Sequence, residues 1–490
     1  MSNHMDNRNM LFVGGDLSGI QKFIYNITSK RAMVSLKGRS AYLKRYTDSV
    51  FNKILNIAAL QETTMSKEDM KIYCSGGKFY LQLPESEDVK KSIETIRNDA
   101  EKELWDKHKG QLSINIDYVP FVYEGDNVKV DGETGNIGLL WTKITEKFNA
   151  LKSQKFKSLL LNDNLFEVQK VGGEEKVCQV TGIEGAKEYI FKFKDRDGET
   201  PDVLTILPVV KEQIDLGSEL REKQCFKMLE EYADGTYLGV LRMDVDGLGA
   251  RFIKGFESMA RYKDFSGKLD KFFDAESGNL HAIQEQFKEF LNVVYAGGDD
   301  IFVVGRWDKV IDFADEVRTR FAIYCKDVLN DTSLSISGGI AIVNAKYPIA
   351  KAAELAGEAE DAAKKYRKEK NAFNMFGESV AWTTEEFDYV KEKKLEMVAL
   401  CSEPTNMPRS ILHKLMTFYD MKKRGEISYI WNTAYFLKRF SADKKSDDIK
   451  GFCDKIQKEL LGKNDNYRLL ALAARWAELE LREIKNKITK

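Results

Sequence analysis

The sequence VVYAGGDDIFVVG, residues 293–305, has two apolar, β-branched runs on either side of a Gly-Gly pair. Such runs joined through glycines predict a β-hairpin, because glycine adopts backbone angles that other residues resist. Two acidic residues, Asp299 and Asp300, follow the glycines at the tip of the turn. A purely structural hairpin does not need adjacent carboxylates there, so the stretch predicts a chemical site as well as a local fold.

The composition is that of a globular protein with several domains. A chain of 490 residues is too long for one hydrophobic core, and about three or four domains are expected. Its 76 basic and 77 acidic residues nearly cancel, so any nucleic-acid contact depends on local basic patches. No apolar run approaches the roughly 20 residues of a membrane span, and no membrane partner is predicted. The six cysteines include no CxxC pair, which favours reduced thiols and a cytoplasmic protein.

The first half of the chain predicts a mixed α and β pattern. A short apolar strand ends at Asp16, a helix begins near Ser18, and an amphipathic helix follows Gly38. A strand pair with two glycines at its turn, a long helix and another strand are predicted at 72–84, 87–108 and 114–124. Residues from about 140 to 235 are less regular, and we interpret them as a connector domain.

The second half resumes a regular order of elements. The stretch TYLGVLRMDVDGLGARFIKGF, residues 236–256, predicts a buried strand that ends in an Asp-Val-Asp-Gly sequence and leads into a helix. The hairpin, a helix, a strand and an alanine-rich helix follow. From about residue 383 the pattern is helical and poor in strands, which predicts a C-terminal helical bundle.

The two regular regions resemble each other, as two copies of one domain do. The strand end DLSGI, residues 16–20, matches DVDGL, residues 244–248. The hairpin turn SGGKF, residues 75–79, matches AGGDD, residues 296–300. The sequence therefore predicts a duplicated α/β domain.

The alignment of the hairpins separates the two copies chemically. It places Lys78 and Phe79 of the first copy opposite Asp299 and Asp300 of the second. The second copy is therefore predicted to hold metal ions, and the first to be degenerate.

The acidic residues suit a divalent metal. Alternate strand residues share a face, so Asp244 and Asp246 can lie together, and the hairpin acids come from a neighbouring strand. Hard oxygen ligands at one strand end predict Mg²⁺ or Mn²⁺, which use few carboxylates and add water and substrate phosphates. Two such ions can activate a 3'-hydroxyl and stabilise a leaving pyrophosphate. The alternative is a turn with solvated acids, and the upstream Asp-x-Asp-Gly strand favours the metal site.

These blocks carry a family resemblance. The second copy resembles the palm domain of GGDEF-type nucleotide cyclases, through its acid-ended strand, its GGDD hairpin and the strand SLSISGGIAIV. A fuller match, over nearly the whole chain, resembles the large polymerase and cyclase subunit of type III CRISPR effector complexes. It rests on the blocks GGDLSGIQKFIYNITSKRA, SLKGRSAYL, LRMDVDGLG, AGGDDIFVVG and KYPIAKAAELAGEAEDAAKKYRKEKNAFNMFG.

The resemblance implies an α+β fold with two ferredoxin-like palm domains, a small domain between them and a C-terminal helical bundle. We expect a degenerate first palm at 1–140, the connector at 141–235, the second palm at 236–382 and the helical domain at 383–490. The implied partners are the backbone and small subunits of a type III CRISPR ribonucleoprotein, its guide RNA and target RNA.

The resemblance also implies a nucleotidyltransferase that joins ATP molecules into 3'-5' linked cyclic oligoadenylates when target RNA binds. Asp244 and Asp300 are implied as the main metal ligands and catalytic residues, with Asp299 as a second-rank ligand and the Val245 carbonyl as a further one. The expected nucleotide contacts are Gly15, Asp16, Ser18, Gly76, Gly77, Asp246, Gly247, Gly297, Gly298 and Lys364. For Lys364 the alternative is a solvated side chain in a basic run.

Two departures from the family pattern limit these expectations. Many members carry an HD nuclease domain, which needs a His-Asp dipeptide, and none of the four histidines here forms one. We therefore expect no cleavage of single-stranded DNA and no HD domain ahead of the first palm. Members also often carry cysteine pairs for zinc, whereas Cys178 has Thr181 where a CxxC partner would stand. We expect no zinc and an ordinary packed thiol at Cys178.

Three functions stay open at this point. The first is oligomerisation of ATP by the two palms. The second keeps the metal chemistry but joins ATP to S-adenosylmethionine as cosubstrate, as relatives without an HD domain do. The third is a non-catalytic scaffold, which the intact GGDD disfavours, because clustered carboxylates repel one another without a cation.

Several conspicuous side chains have structural alternatives. Phe23 and Tyr25 can stack on a base, but at helical positions core packing is favoured. Arg39 can meet a phosphate or remain solvated. Trp431 and Trp476 are expected to pack within the helical bundle or against a neighbouring subunit.

Overall fold

The computed structural model of the chain forms two compact units. One comprises residues 1–336 with 343–355, and the other residues 337–342 with 356–490. The structure describes residues 8–27, 32–157, 159, 178–182, 189–193, 203–206, 229–233, 237–274, 277–442, 446–461 and 466–488.

The first sheet contains the described strands β1 (Asn9–Ser18), β2 (Lys71–Ser75), β3 (Lys78–Pro84), β4 (Ser113–Glu124), β5 (Asn127–Val130) and β6 (Glu133–Gly135). Their order is β2-β3-β1-β4-β5-β6, and β1 is antiparallel to both β3 and β4. Side chains alternate along β1, so Leu11 and Val13 face one side and Met10 and Phe12 the other. All four are buried. Strand β1 is therefore covered on both faces.

The described helices beside this sheet are α1 (Ile20–Tyr25), α2 (Ala32–Leu55), α3 (Lys67–Met70), α4 (Glu87–His108) and α5 (Gly138–Lys152). Helix α4 begins at Ser86, whose side chain accepts a hydrogen bond from the backbone N–H of Val89 at 3.2 Å. Helix α5 packs Trp141 and Ile144 against Phe12 in one core. This core also includes Met259 and Tyr262, so the boundary expected at residue 140 stays a prediction.

A small antiparallel sheet follows in the connector: β7 (Cys178–Gly182), β8 (Tyr189–Phe193) and β9 (Val203–Ile206). The remaining connector residues between 160 and 228 lie outside the described residues, and so does the side chain of Cys178. The expectation of no zinc at Cys178 therefore stays a prediction.

The second sheet contains β10 (Tyr237–Val245), β11 (Leu291–Gly297), β12 (Asp300–Arg306), β13 (Ile336–Asn344), β14 (Ala372–Met375) and β15 (Glu378–Ala381). Their order is β11-β12-β10-β13-β14-β15. If the first four strands of each sheet are numbered along the chain, their spatial order is 2-3-1-4 in both sheets. This shared order confirms the predicted pair of ferredoxin-like palms.

The described helices of the second palm are α6 (Leu229–Ala233), α7 (Leu248–Lys254), α8 (Met259–Phe273), α9 (Asn279–Phe287), α10 (Trp307–Tyr324) and α11 (Ile349–Tyr366). Helix α10 buries Trp307, Val310, Ala314 and Val317 completely, at the spacing of one helical face. A five-residue π-helix, Cys325–Leu329, continues it.

The described helices after residue 383 are α12 (Tyr389–Cys401), α13 (Ser410–Lys423), α14 (Tyr429–Ala442), α15 (Asp447–Leu461) and α16 (Tyr467–Ile488), and a π-helix at Thr384–Asp388 precedes them. They confirm the predicted helical C-terminal domain. Throughout the described parts of the chain, no helix combines the length and the apolar character needed to cross a membrane.

A buried carboxylate organises the second compact unit. Glu386 accepts hydrogen bonds from the backbone N–H of Ala381 at 2.9 Å, from the Tyr366 hydroxyl at 3.0 Å and from Arg468 Nη2 at 3.2 Å. Burial by itself raises the pKa of Glu386, but these hydrogen bonds and the positive charges of Arg468 and Arg367 lower it below its ordinary value. The network ties the end of β15 to α11 and α16.

The structure shows which of the conspicuous side chains pack in a core and which are exposed. Phe23 and Tyr25 are 4% and 7% exposed, which confirms core packing. Arg39 Nη1 donates to two backbone carbonyls at the end of α1, at 2.5 and 2.7 Å, a structural role that the sequence did not predict. Trp476 is buried in the helical domain as expected, whereas Trp431 is 58% exposed.

Candidate active site

The two main acidic residues lie opposite each other on neighbouring strands. Antiparallel β10 and β12 pair Asp244 with Asp300 at the end of their ladder. Directly opposed residues point to the same face of a sheet with their Cβ atoms about 5 Å apart. Both residues are half-buried. The backbone register therefore brings together the two carboxylates that the sequence placed 56 positions apart.

The GGDD turn has two residues, Gly298 and Asp299. Gly297 pairs with Asp300 across the hairpin, and Gly298 has a φ of 69°, in the left-handed region that favours glycine. The backbone of Asp299 is fixed on both sides, because its N–H donates to the Gly297 carbonyl at 2.8 Å and its carbonyl accepts from Val245 N–H at 3.1 Å. Asp299 is thus a turn residue, and Asp300 is the first residue of a strand. The lower rank of Asp299 as a ligand stays a prediction.

Asp246 is tied to the loop before β13. Its backbone N–H donates to the Ser335 carbonyl at 2.8 Å, and the Ser335 hydroxyl donates to Asp246 Oδ2 at 2.7 Å. The neighbouring Gly247 has a φ of 71°, precedes α7, and has open space where a side chain would stand. A ligand can therefore approach the backbone at Gly247, whereas Asp246 is 6% exposed.

The donor set fits a magnesium or manganese site that a substrate completes. Over the described ranges, no group of three or more His, Cys, Asp or Glu side chains is arranged to hold a metal ion. Mg²⁺ in nucleotide enzymes is commonly bound by one or two carboxylates together with substrate phosphates, so a complete protein cage is not required. Asp244 and Asp300 supply such a pair, and the Val245 carbonyl adjoins it.

The first palm contributes to this site through helix α1. Gln21 Nε2 donates a hydrogen bond to Asp300 Oδ2 at 3.3 Å. The ring of Tyr25 packs on Phe302 of β12, with 4.4 Å between the ring centroids. Sequence reasoning missed Gln21, although the match between the two strand ends places α1 and α7 at equivalent positions.

Two half-buried tyrosines, Tyr73 and Tyr295, lie beside the GGDD turn. Burial raises the pKa of Tyr295 well above its ordinary value, and the nearby carboxylates of Asp300, Asp299 and Asp244 raise it further. Burial raises the pKa of Tyr73 in the same way, with smaller contributions from the charges of Asp270 and Asp299. Both phenols therefore stay protonated near neutral pH.

The equivalent site of the first palm has a different charge. Lys152 Nζ lies 2.6 Å from Asp16 Oδ2, and Asp16 is 6% exposed. Asn115 Nδ2 donates to the Ser18 hydroxyl at 3.1 Å and to the Asp16 carbonyl at 3.2 Å. The Asp16 carboxylate is thus neutralised within the palm, and Ser18 is held at the end of β1.

The predicted alignment of the hairpins was wrong by one residue. Lys78 pairs with Asp16 just as Asp300 pairs with Asp244, so Lys78 corresponds to Asp300 rather than to Asp299. Phe79 follows it in the strand and pairs with Gly15. Both hairpins have two-residue turns, but the first has two glycines there and the second has glycine and aspartate, which misled the alignment of the glycines.

Three of the predicted nucleotide contacts have packing roles in the structure. A Cβ atom on Gly15 would collide with the Phe79 ring. A Cβ atom on Gly76 would lie 2.8 Å from the carbonyl oxygen of Gly297, so the two turns are in contact. A Cβ atom on Gly77 would collide with Ile20. Whether these glycines also contact a nucleotide stays a prediction.

Lys364 lies on α11 in the second compact unit. Its Nζ is 2.6 Å from Glu360 Oε1, one helical turn earlier. The pair is partly buried, with 22% and 6% of the two side chains exposed. Lys364 is therefore partly solvated and paired with Glu360, and the phosphate contact stays a prediction.

Two sheets of one strand order, one of which carries an acidic pair beside a glycine turn, define a protein with tandem palm domains. The fold alone does not establish an activity.

Comparison with known proteins shows which families and relatives the chain resembles. The family described as Cas10/Cmr2, second palm domain, matches residues 237–374, and the family described as Csm1 subunit domain B matches residues 9–171. The CRISPR system single-strand-specific deoxyribonuclease Cas10/Csm1 (subtype III-A) of Enterococcus italicus is 26% identical over 89% of this chain. The protein of that name from Streptococcus thermophilus is 24% identical over 90%. Over most of its length the chain is thus similar to Cas10/Csm1 proteins of subtype III-A, and two separate stretches match the palm and domain B families.

The chain spans 62% and 64% of the lengths of these two relatives. Among solved structures, a Csm1-Csm4 cassette in complex with pppApApA superposes with a TM-score of 0.66 and 21% identity, covering 97% of this chain and 70% of that one. A cassette in complex with AMPPNP also gives a TM-score of 0.66, at 21% identity, covering 96% of this chain and 71% of that one. These likenesses confirm the fold.

Proposed function

We propose that the chain is the nucleotidyltransferase subunit of a type III CRISPR ribonucleoprotein and joins ATP molecules through 3'-5' linkages into cyclic oligoadenylates. The pairing of Asp244 with Asp300 beside the GGDD turn carries the proposal. It is supported by solved relatives of the same fold, which are described in complex with ATP, with pppApApA and with cyclic cA4.

In the proposed reaction, the 3'-oxygen of one ATP attacks the α-phosphorus of a second. The new O3'–P bond forms, the bond to pyrophosphate breaks, and the hydroxyl proton is released to solvent. Asp244 and Asp300, with the Val245 carbonyl, are the groups that would hold Mg²⁺ or Mn²⁺. When bound, these ions activate the 3'-hydroxyl and neutralise the leaving pyrophosphate.

The residues of the chain orient the reactants. The open backbone at Gly247 lets a phosphate approach the start of α7. In the first palm, Asp16 and Ser18 lie at the end of β1, the equivalent strand end, and form the proposed acceptor side. Because Lys78 replaces the second acid there, we assign no metal to that palm.

The proposal also covers the subunits with which the chain assembles. The solved relatives are Csm1-Csm4 subcomplexes, one of them described as part of the type III-A CRISPR-Csm interference complex. We propose that this chain likewise assembles with backbone and small subunits, guide RNA and target RNA. The deoxyribonuclease activity in the names of the curated relatives is not part of the proposal, because the sequence contains no His-Asp dipeptide.

The experiment that tests the function measures products of the assembled complex. The complex is incubated with target RNA, ATP and Mg²⁺, and the products are analysed by mass spectrometry with and without S-adenosylmethionine. A ladder of cyclic oligoadenylates from ATP alone is expected. A conjugate of AMP with S-adenosylmethionine would show that S-adenosylmethionine, rather than ATP, is the acceptor. The absence of any pyrophosphate release would show that the chain is a non-catalytic scaffold.

A matched pair of variants assigns the activity to the GGDD palm. Asp244→Asn should abolish product formation. Asp126→Asn, which changes an exposed acid in the turn between β4 and β5, should leave it unchanged. Equal activity of the two variants would show that the transferase lies elsewhere in the complex.

A further inference from the structure

The glycine turn of the first palm touches the GGDD turn of the second. A Cβ atom on Gly76 would lie 2.8 Å from the carbonyl oxygen of Gly297. A Cβ atom on Gly297 would lie 2.9 Å from the Cα atom of Gly76. Both obstacles are backbone atoms, which cannot rotate away as the end of a flexible side chain can. The two turns therefore meet backbone to backbone, at a distance that only glycine permits.

A tyrosine from the first palm adds a second contact with the same turn. A Cβ atom on Gly298 would lie 2.5 Å from the hydroxyl oxygen of Tyr73, and the next nearest atom of that ring is 3.8 Å away. The hydroxyl of Tyr295, on the second palm itself, occupies the corresponding space beside Gly297. Both glycines of GGDD are thus enclosed by tyrosine hydroxyls.

The two tyrosines are structural equivalents. The register of the β2–β3 pair shifts between Lys71 and Tyr73, and the register of the β11–β12 pair shifts between Val293 and Tyr295. Each tyrosine stands two residues before the last residue of its strand. A β-bulge re-aims the side chain that follows it. The duplication has therefore placed one tyrosine from each palm beside the turn.

We propose that the hairpin of the first palm, through Gly76 and Tyr73, is a positioning element for the GGDD turn. By fixing the backbone of Gly297 and Gly298, it holds Asp300 opposite Asp244. This inference rests on the proposed function, since it gives the turn a metal-binding role. It accounts for a first palm that lacks the second acid but keeps a glycine hairpin turn.

The test compares two glycine variants of the full chain. Gly76→Ala introduces a Cβ atom against Gly297. Gly125→Ala introduces one at nearly the same backbone angle, with a φ of 64° against 61°, but with no atom within 4 Å. Both variants should lose thermal stability from backbone strain, and Gly76→Ala should lose more because its Cβ atom also meets a backbone oxygen. Only Gly76→Ala should weaken Mn²⁺ binding, by about tenfold, and reduce kcat more than it changes KM for ATP.

A suppressor pair tests Tyr73 in the same way. Gly298→Ala should weaken Mn²⁺ binding, because its methyl group meets the Tyr73 hydroxyl. Adding Tyr73→Phe removes that hydroxyl and should restore at least fivefold in affinity, while the strain of a positive φ remains. A general loss of folding would not be repaired by this second change.

The outcomes separate the two proposals. Equal Mn²⁺ affinity of Gly76→Ala and Gly125→Ala, or no recovery in the Tyr73→Phe double variant, would overturn the positioning role. A wild-type chain that binds Mn²⁺ through Asp244 but releases no pyrophosphate in the assembled complex would overturn the function alone. A wild-type chain without Mn²⁺ binding would overturn both.

Discussion

The two palms share a backbone and differ in charge. In each, a backbone N–H after the strand-end aspartate donates to the second residue of the hairpin turn: Leu17 to Gly77 at 2.8 Å, and Val245 to Asp299 at 3.1 Å. In each, a glycine in the left-handed region precedes the next short helix. The decisive difference is the residue opposite the strand-end aspartate, which is Lys78 in one palm and Asp300 in the other. Packing has preserved the backbone of both, while only one has kept an acidic pair.

The local charges of the two sites follow from that residue and from Lys152. In the first palm, Lys152 neutralises Asp16, and Lys78 adds another positive charge at the same strand end. In the second, two carboxylates lie side by side, and a divalent cation relieves their repulsion. The negative charge of the first site is thus neutralised by lysines of the same palm, whereas the negative charge of the second site suits a bound cation.

The largest expected effect comes from removing the acid that distinguishes the palms. Asp300→Asn should lower the rate of pyrophosphate release by about 10³-fold, because metal stabilisation of the transition state contributes several kcal/mol. Lys78→Ala, at the equivalent position, should leave the rate within about threefold. The measurement is pyrophosphate release by the assembled complex. A comparable loss in both variants would mean that the palms act as equal partners.

Restoring an acid to the first palm tests which of its lysines prevents metal binding there. Lys78→Asp recreates an opposed pair with Asp16, but Lys152 still occupies the Asp16 carboxylate. We expect additional Mn²⁺ binding only in the double variant Lys78→Asp, Lys152→Ala, where no lysine competes with the cation. Titration of Mn²⁺ against the full chain counts the sites. Extra binding in Lys78→Asp alone would show that the Lys152 ion pair is weak.

An acid of the second palm, close to the hairpin of the first, should make stability depend on pH. Burial raises the pKa of Asp270 to about 7; hydrogen bonding with Ser75 opposes this, and the charges of Asp274 and Asp299 add to it. The folded chain holds this proton up to about pH 7, whereas the unfolded chain releases it near pH 4. Its stabilising contribution is therefore complete below about pH 4 and is lost as the pH rises to 7.

Substitution of Asp270 reveals this contribution. Relative to wild type, Asp270→Asn should gain on the order of 2 kcal/mol between pH 5 and pH 8, after allowance for partial solvent screening. Denaturant unfolding at the two pH values measures it. Parallel stabilities of the two proteins would show that Asp270 is ionised throughout.

The smallest expected effect is at Gln21. Its hydrogen bond to Asp300 is exposed and 3.3 Å long, so Gln21→Ala should weaken Mn²⁺ binding only a few-fold. Lys22→Ala, which changes the next exposed side chain of α1, is the control and should have no effect. A loss of tenfold or more in Gln21→Ala would make the first palm a direct part of the metal site.

Periodicity and turn chemistry predicted most of the elements. The helix at 87–108, the strand pair at 72–84 and the strand from 114 to 124 lie within one residue of the observed bounds, because their apolar spacing and flanking glycines are local signals. The strands β14 and β15 were not predicted, since four-residue strands carry little periodicity. The end of the first palm at residue 140 stays a prediction, because the apolar face of α5 does not reveal which sheet it covers.

The sequence placed Asp244 and Asp300 in one candidate site, and the structure pairs them across two strands, but the predicted hairpin alignment was wrong. Asp244 and Asp300 follow from residue type, and their opposition follows from the strand order. Matching glycine to glycine placed Lys78 one position out of register. The correct register depends on backbone hydrogen bonds across each hairpin, which the amino-acid sequence does not show directly.

The sequence alone determined that this chain has two related α/β domains, that one keeps an acidic hairpin and that the C-terminal part is helical. These properties follow from local periodicity, from turn residues and from the repeat. Only the tertiary structure decided that Lys78 stands where Asp300 does, that Lys152 neutralises Asp16, and that Gly76 meets Gly297. Each of those contacts joins residues far apart in sequence, and their distances depend on how complete sheets and helices pack.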